Sequence, residues 1–311
     1  MTQRRSCPTA WRLLAGVFLA CACAPAWAAI PASERQVLDT LYTSTNGVAW
    51  LNKHGWNGPP GSECSTDPNL SWIGVTCDVA GTHVTEIDLG YNELSGSLPN
   101  LDGLTELQLF NVYSCSLTGS IPDVRALTHL QFFDVGANGT MSGTIPPISG
   151  MTSLISYQVE GNQLTGSMPV LTGLPNLGLL YVNDNLLTGT IPAFGALTAI
   201  TQIRLSNNHF TGPIPSLSGL ASLSDFEANS DHLSGSIPVL SALQSLNFFD
   251  VGNNQLTGPV PAAPSPNALI DGASILCPNP LTPNPSAAWD AATGITPWYS
   301  ACDPIFADGF D

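Results

Sequence analysis

The chain has 311 residues, with 23 Asp or Glu against seven Lys or Arg, a formal net charge of −16. Phosphate binding needs clustered Lys and Arg, so this balance argues against nucleic acid as a partner. Acidity of this kind more simply keeps a chain soluble.

Residues 1–28 read as a signal peptide. Arg4, Arg5 and Arg12 lead an apolar stretch from Leu13 to Ala22, and Ala26-Trp27-Ala28 offers a cleavage site between small residues. The Arg4-Arg5 pair lacks the remainder of a twin-arginine signal, and Phe18-Leu19-Ala20-Cys21 matches a lipoprotein box poorly, so ordinary secretion is expected, with the periplasm or cell surface as other destinations. No other apolar run reaches membrane-spanning length. Without residues 1–28 the only bases are Arg35, Lys53, Arg125 and Arg204, so these four face all 23 acids and the formal charge is −19.

Residues 29–83 read as an N-terminal cap. Ser33 and Gln36 form a capping-box pattern ahead of Val37, Leu38, Leu41 and Tyr42, which share one helical face, so a short helix is expected. Trp50, Trp56 and Trp72 follow, and are expected to form cap core. Cys64 with Cys77, and Cys277 with Cys302, flank the centre of the chain and read as one disulfide at each end. Cys115 is left as a free thiol with no His or carboxylate pattern beside it, which favours a structural role over a nucleophile.

Residues 84–262 repeat. The string Asn-Xaa-Leu-Thr-Gly-Xaa-Ile-Pro returns with its first position at Asn92, Cys115, Asn138, Asn162, Asn185, Asn208, Asp231 and Asn254. Seven steps of 23 residues, one of them lengthened to 24 by an insertion near Gly139, define eight turns of a leucine-rich-repeat solenoid. A lone repeat cannot bury its own apolar face, and stacking supplies the missing partner. In the fourth turn Tyr157 and Val159 lie at the strand period and point inward, so Ser156, Gln158 and Glu160 face out. The Asn position is structural, because an amide has both donors and an acceptor for backbone groups that lack strand partners. Cys115 substitutes there, whereas an ionised Asp231 only accepts and must either take up a proton or leave a neighbour unpaired. The Gly supports positive φ, and the Pro bends the chain onto the back of the coil.

Residues 263–303 read as a C-terminal cap. Eight prolines between Pro259 and Pro285, with no helical period, predict an irregular path, and Trp289, Trp298 and Tyr299 offer apolar cover near Cys302. Residues 304–311 form a tail, Ile305-Phe306-Ala307-Asp308-Gly309-Phe310-Asp311 with its preceding residue, read equally as a sorting tag or a disordered terminus.

The repeated motif, preceded by Trp72-Ile73-Gly74-Val75-Thr76-Cys77, resembles the plant-type extracellular leucine-rich repeat of polygalacturonase inhibitors and receptor-kinase ectodomains. That resemblance implies a right-handed α/β repeat superhelix with a concave parallel β-sheet, a second short sheet, a mostly irregular or 3-10 convex side and disulfide-bonded caps. It also implies binding of a protein, peptide or glycan ligand. The 23-residue period is one residue shorter than the usual plant repeat. The Leu41-Tyr42-Thr43-Ser44-Thr45-Asn46-Gly47 segment and the tail are more similar to secreted repeat proteins of Gram-negative bacteria.

A binding site is expected on the outward positions of the long sheet. One column reads Asp88, Asn111, Asp134, Gln158, Tyr181, Arg204, Glu227 and Asp250; its neighbour reads Glu86, Leu109, Phe132, Ser156, Leu179, Gln202, Asp225 and Phe248. At about 4.8 Å per strand this face is roughly 35 Å long. Leu109, Phe132, Leu179, Tyr181 and Phe248 are the candidate anchors, because clustered outward apolar side chains mark interaction sites. A structural or adhesive surface component is the alternative.

Catalysis has weaker support. Glu86 with Asp88 and Asp225 with Glu227 put carboxylates about 7 Å apart, a spacing that any strand with alternate acids produces. His54, His83, His129, His209 and His232 fall at unrelated repeat offsets without metal-ligand spacing. No phosphate loop or nucleophile motif occurs, and no cofactor or metal is expected. The sequence therefore points to a secreted, non-enzymatic recognition module, with a glycan hydrolase as the least favoured reading.

Overall fold

The computed structural model describes residues 29–195, 197–264 and 268–302, so the signal segment and the C-terminal tail lie outside the described residues. The chain winds as a solenoid. Each turn contributes a three-residue strand such as Leu179–Tyr181 or Gln202–Arg204 to one long sheet, whose eight parallel members pair in register from Val84–Asp88 to Phe248–Asp250. Val75–Cys77 adds an antiparallel ninth strand at the N-terminal edge. Nothing shifts the register between turns because each inward residue meets its own repeat equivalent: Phe110, Phe133 and Tyr157 stack at 5.8 and 5.5 Å, and Phe226 and Phe249 at 5.6 Å.

Around the coil the Leu positions are sealed. Leu171, Leu174, Leu177, Leu180 and Leu187 are at most 1% exposed. Tight turns close the back, with Leu107 N–H donating to the Leu104 carbonyl and Leu223 N–H to Leu220, so the convex side carries turns rather than helices. The Thr-Gly segments form two further four-stranded parallel sheets, one from Ser95–Ser97 to Gln163–Thr165 and one from Thr188–Thr190 to Gln255–Leu256. Gly166 and Gly212 hold φ of 78° and 76°, which a side chain would strain.

The Asn ladder is a repeated hydrogen-bond unit. Asn208 Oδ1 accepts from Leu187 N–H at 3.0 Å, and its Nδ2 donates to the Val182 and Leu205 carbonyls at 3.0 and 2.8 Å. Asn185 and Asn254 do the same one and two turns away. At the lengthened turn the unit is incomplete. Asn162 keeps its donor bonds, but its Oδ1 is buried without a partner, at the turn where one extra residue follows Asn138. Asp231 accepts from Phe210 N–H through Oδ1 and leaves Oδ2 buried and unpaired. Cys115 makes only long sulfur contacts to the Leu89 and Tyr113 carbonyls.

At the N-terminal end the helix Ala32–Ser44 covers the coil with Leu38 and Leu41 fully buried, and Trp50, Trp56 and Trp72 pack as a cluster beside Tyr42. The capping box does not form. The N-cap is Pro31, without a side-chain cap bond, because the helix starts two residues before the box requires. Glu34, buried at 1% exposure, instead ties the helix to the first long strand, accepting from Val84 N–H and the His83 ring. Disulfides join Cys64 to Cys77 and Cys277 to Cys302, with Cα separations of 5.5 and 4.8 Å; Cys115 is free.

The solenoid does not stop at residue 262. Ile275 bridges to Asp250 on the edge of the long sheet, and Val251 N–H donates to the Ile275 carbonyl. Asn279 takes the ladder position of a further turn, accepting from Leu256 N–H and donating to the Val251 and Leu276 carbonyls. The prolines leave the path irregular, as expected, but the inward groups still continue the coil. The helix Ala287–Thr293, capped by Ser286 and ended by Gly294 at φ 69°, then drops Trp289 against Phe249 at 6.1 Å.

Candidate functional site

The outward columns of the long sheet are in register, and neighbouring members touch. Asn111 Nδ2 donates to Asp88 at 2.8 Å, and Tyr181 donates its hydroxyl to Gln202. Arg204 sits over the Tyr181 ring at 4.8 Å and holds both Asp225 and Glu227, at 2.9 and 3.2 Å. The second carboxylate pair of the sequence reading is therefore occupied by a cation rather than open to chemistry. The apolar members form a patch: Phe132 is 40% exposed, Leu109 and Leu179 are half-buried, and the small Ser156 between Phe132 and Leu179 is covered to 1% exposure. Gln158 donates to the Ser156 hydroxyl at 2.9 Å, closing the floor of that patch. Phe248 is half-buried, three turns away from Leu179 along the column by way of Gln202 and Asp225.

Asp250 departs from the sequence reading. It is buried at 6% exposure, accepts from Gly252 N–H and from Asn229, and stabilises the sheet edge rather than facing a ligand. The histidines also require correction. His209 and His232 are 23 residues apart, occupy the same repeat position, and lie with ring centres 5.9 Å apart on the second sheet. They are exposed, and no cluster of three or more metal-ligating side chains occurs among the described residues.

The sequence columns stop one outward position too early. The next position along each strand exit holds Tyr113, Gly136, Glu160 and Asn183, followed by Tyr91, Ala137 and Asp184 at the turn. All of these but Gly136, with Gly161 and the column residues Asn111, Asp134, Gln158, Tyr181 and Arg204, line a groove of about 620 Å³. Tyr91 is 69% exposed and meets Tyr113 edge-on at 5.4 Å. Burial, with a smaller contribution from the charge of Asp134, pushes the Glu160 carboxyl up to about 7, and burial pushes the Asp134 carboxyl up to about 6. The alternation that places Ser156 and Gln158 outward already includes Glu160, so period two carried that signal; the neighbouring glycine and the turn tyrosine carried none.

A family model described as Leucine Rich Repeat matches residues 199–220. The chain is similar to the crystal structure of PEPR1-AtPEP1, at 27% identity and a TM-score of 0.72, over 85% of this chain and 37% of that one. It is similar to the LRR ectodomain of the plant membrane receptor kinase GASSHO1/SCHENGEN3 from Arabidopsis thaliana, solved in complex with CASPARIAN STRIP INTEGRITY FACTOR 2, at 25% identity and a TM-score of 0.53, over 80% and 36% of the two chains. A plant ice-binding protein shares the fold at 21% identity and a TM-score of 0.58, over 85% of this chain and 93% of its own. The chain thus spans little more than a third of the length of the first two of these structures. The architecture is that of a leucine-rich-repeat solenoid with a parallel sheet of stacked turns and disulfides near its ends.

Proposed function

We propose that the protein is an extracellular recognition module whose concave sheet binds an extended peptide or protein segment. The observation that carries this reading is the apolar patch of Leu109, Phe132 and Leu179 laid over a buried serine, beside the tyrosine-lined groove, on a rigid in-register face. Rigid aromatic and aliphatic anchors next to polar groups are what hot spots are made of. The similar receptor-kinase ectodomain, solved with a named partner, supports the same class of function. The disulfide at each end fits an oxidising compartment and the signal peptide of the sequence reading. Asp134 and Glu160 are raised together by the same desolvation, whereas an acid and base pair needs unlike environments, so the groove supports binding rather than hydrolysis.

The test is retention of partners on the immobilised mature protein. Phe132→Ala and Leu179→Ala should each reduce the retained partner at least fivefold with unchanged circular dichroism, while Thr188→Ala and Thr211→Ala on the second sheet should retain it fully. Loss of retention from the second-sheet changes alone would overturn the reading in favour of a structural or adhesive component.

A further inference from the structure

Of the three buried side-chain atoms that the groove lining leaves without a hydrogen bond, two are acceptors and the third is Arg204 Nε. The amide donors of that lining are engaged, Asn111 with Asp88, Gln158 with Ser156 and Asn183 with Asp184, and the Arg204 guanidinium is ion-paired with Asp225 and Glu227. Acceptors are left over. Glu160 Oε2 and Asn183 Oδ1 are both buried and neither has a partner. Asp134 offers a second oxygen beyond the one that accepts from Gly136 N–H. Unpaired buried acceptors are costly in the free protein, and a guest rich in N–H donors removes that cost.

Shape agrees with this polarity. Gly136 lies between Tyr113 and Glu160 in the outward column, and a Cβ there would come within 2.6 Å of Glu160 Oε1. Glycine thereby lets the carboxylate fold over the backbone beside Asp134. Tyr91 and Tyr113 form an aromatic lip on the other side, and Tyr91 occupies a left-handed turn position, φ 56°, that other turns fill with small or short polar residues such as Ser114, Ala137 and Gly161. Placing an exposed tyrosine there costs conformational energy that its ring, and not the turn, must justify.

Building on the concave-face reading above, we propose that this groove seats a basic side chain of the bound peptide, best an arginine, with its guanidinium between the Asp134 and Glu160 carboxylates, in reach of Asn183 Oδ1 and against the Tyr91 and Tyr113 rings. A guanidinium supplies five donors in a plane and stacks on aromatic faces, which matches the acceptors of Asp134, Glu160 and Asn183 beside an aromatic wall, the charge of Arg204 in the same lining being held by Asp225 and Glu227.

Calorimetric titration of the folded protein with an acetylated, amidated Arg-Gly-Arg peptide at 150 mM salt tests this. Saturable binding is expected, weakened at least fivefold by Glu160→Gln and at least threefold by Gly136→Ala, which keeps every charge but displaces the carboxylate. Glu106→Gln, which removes one acid from the back of the coil, should change it less than twofold. Absence of saturable binding, or equal weakening by Glu106→Gln and Glu160→Gln, overturns the subsite, the latter because binding would then follow overall charge. The two proposals fail separately: partner retention that depends on Phe132 without arginine-peptide binding removes only the subsite, and arginine-peptide binding at Glu160 with retention indifferent to Phe132 and Leu179 removes only the apolar recognition surface.

Discussion

Two inward groups show how single atoms decide the stability of a stacked coil. Tyr157 completes the ring stack with Phe133, yet its hydroxyl is fully buried and unpaired, so it carries a desolvation cost that phenylalanine would not. Tyr157→Phe should therefore raise stability by about 1 kcal/mol in urea melts; a loss would show that the hydroxyl has a partner in solution. Asp231 is the sharper case. Oδ2 occupies the ladder place where Asn208 and Asn254 present an amide N–H₂ to backbone carbonyls, so an ionised carboxylate there faces acceptors. Burial pushes its carboxyl from 3.8 up to about 7. The folded state then holds a proton between pH 4 and 7 that the unfolded chain has released, and stability falls as pH rises through that window and levels off above it. Asp134 and Glu160 act in the same direction, and the exposed Asp78 and Asp123, held low by their hydrogen bonds, oppose them weakly. Asp231→Asn should stabilise by on the order of 2 kcal/mol at pH 8 and by almost nothing at pH 4, whereas Asn208→Ala should cost about 1–3 kcal/mol at both. Denaturant melts at the two pH values that give a pH-independent gain for Asp231→Asn would rule out a buried titrating carboxylate.

At the scale of elements, the caps do what the repeats cannot, closing the exposed faces of the first and last turns. The Cys64–Cys77 bridge closes a 13-residue separation beside the tryptophan cluster, so opening it should cost about 3 kcal/mol through the freedom it returns to the unfolded chain. Comparing the Cys64→Ser, Cys77→Ser variant with the parent in urea checks this; an unchanged midpoint would mean that the cluster alone secures the cap. The repeats were legible because the period fixes strand, ladder and glycine positions at once, and every strand from Val84–Asp88 to Phe248–Asp250 lies where alternation puts it. The capping box failed because a local motif competes with tertiary demand: Glu34 is drawn inward to His83 and Val84, and the helix begins around it. The extra turn was hidden by its prolines, although Asn279-Pro280-Leu281-Thr282 repeats the ladder string 25 residues after Asn254. The groove was legible only in part: the strand period places Asn111, Asp134, Gln158, Tyr181, Arg204 and Glu160 outward, whereas Tyr91, Ala137 and Asp184 sit at turns, where no period assigns a direction.

For the whole molecule, the topology dictates how stability is distributed. Each turn touches only its neighbours, so cooperativity passes along the coil through nearest-neighbour interfaces and the ends are the natural places for opening to begin. The concave patch and the groove are built on the strands of the first six turns, adjoining the N-terminal cap and well away from the C-terminal one. Trp289 is the test of this arrangement. It is fully buried, donates its ring N–H to the Pro261 carbonyl at 2.8 Å, and covers Phe249, the last inward ring of the eight repeats. Trp289→Ala should cost about 3–5 kcal/mol locally. If the coil is a chain of nearest-neighbour interfaces, hydrogen exchange read by mass spectrometry should show protection lost first around Phe249, then around Phe226, while Phe110 and Phe133 keep theirs and arginine-peptide binding at Glu160 survives. Uniform loss of protection from end to end would instead make the solenoid a single cooperative unit, with the recognition face no more stable than its C-terminal cap.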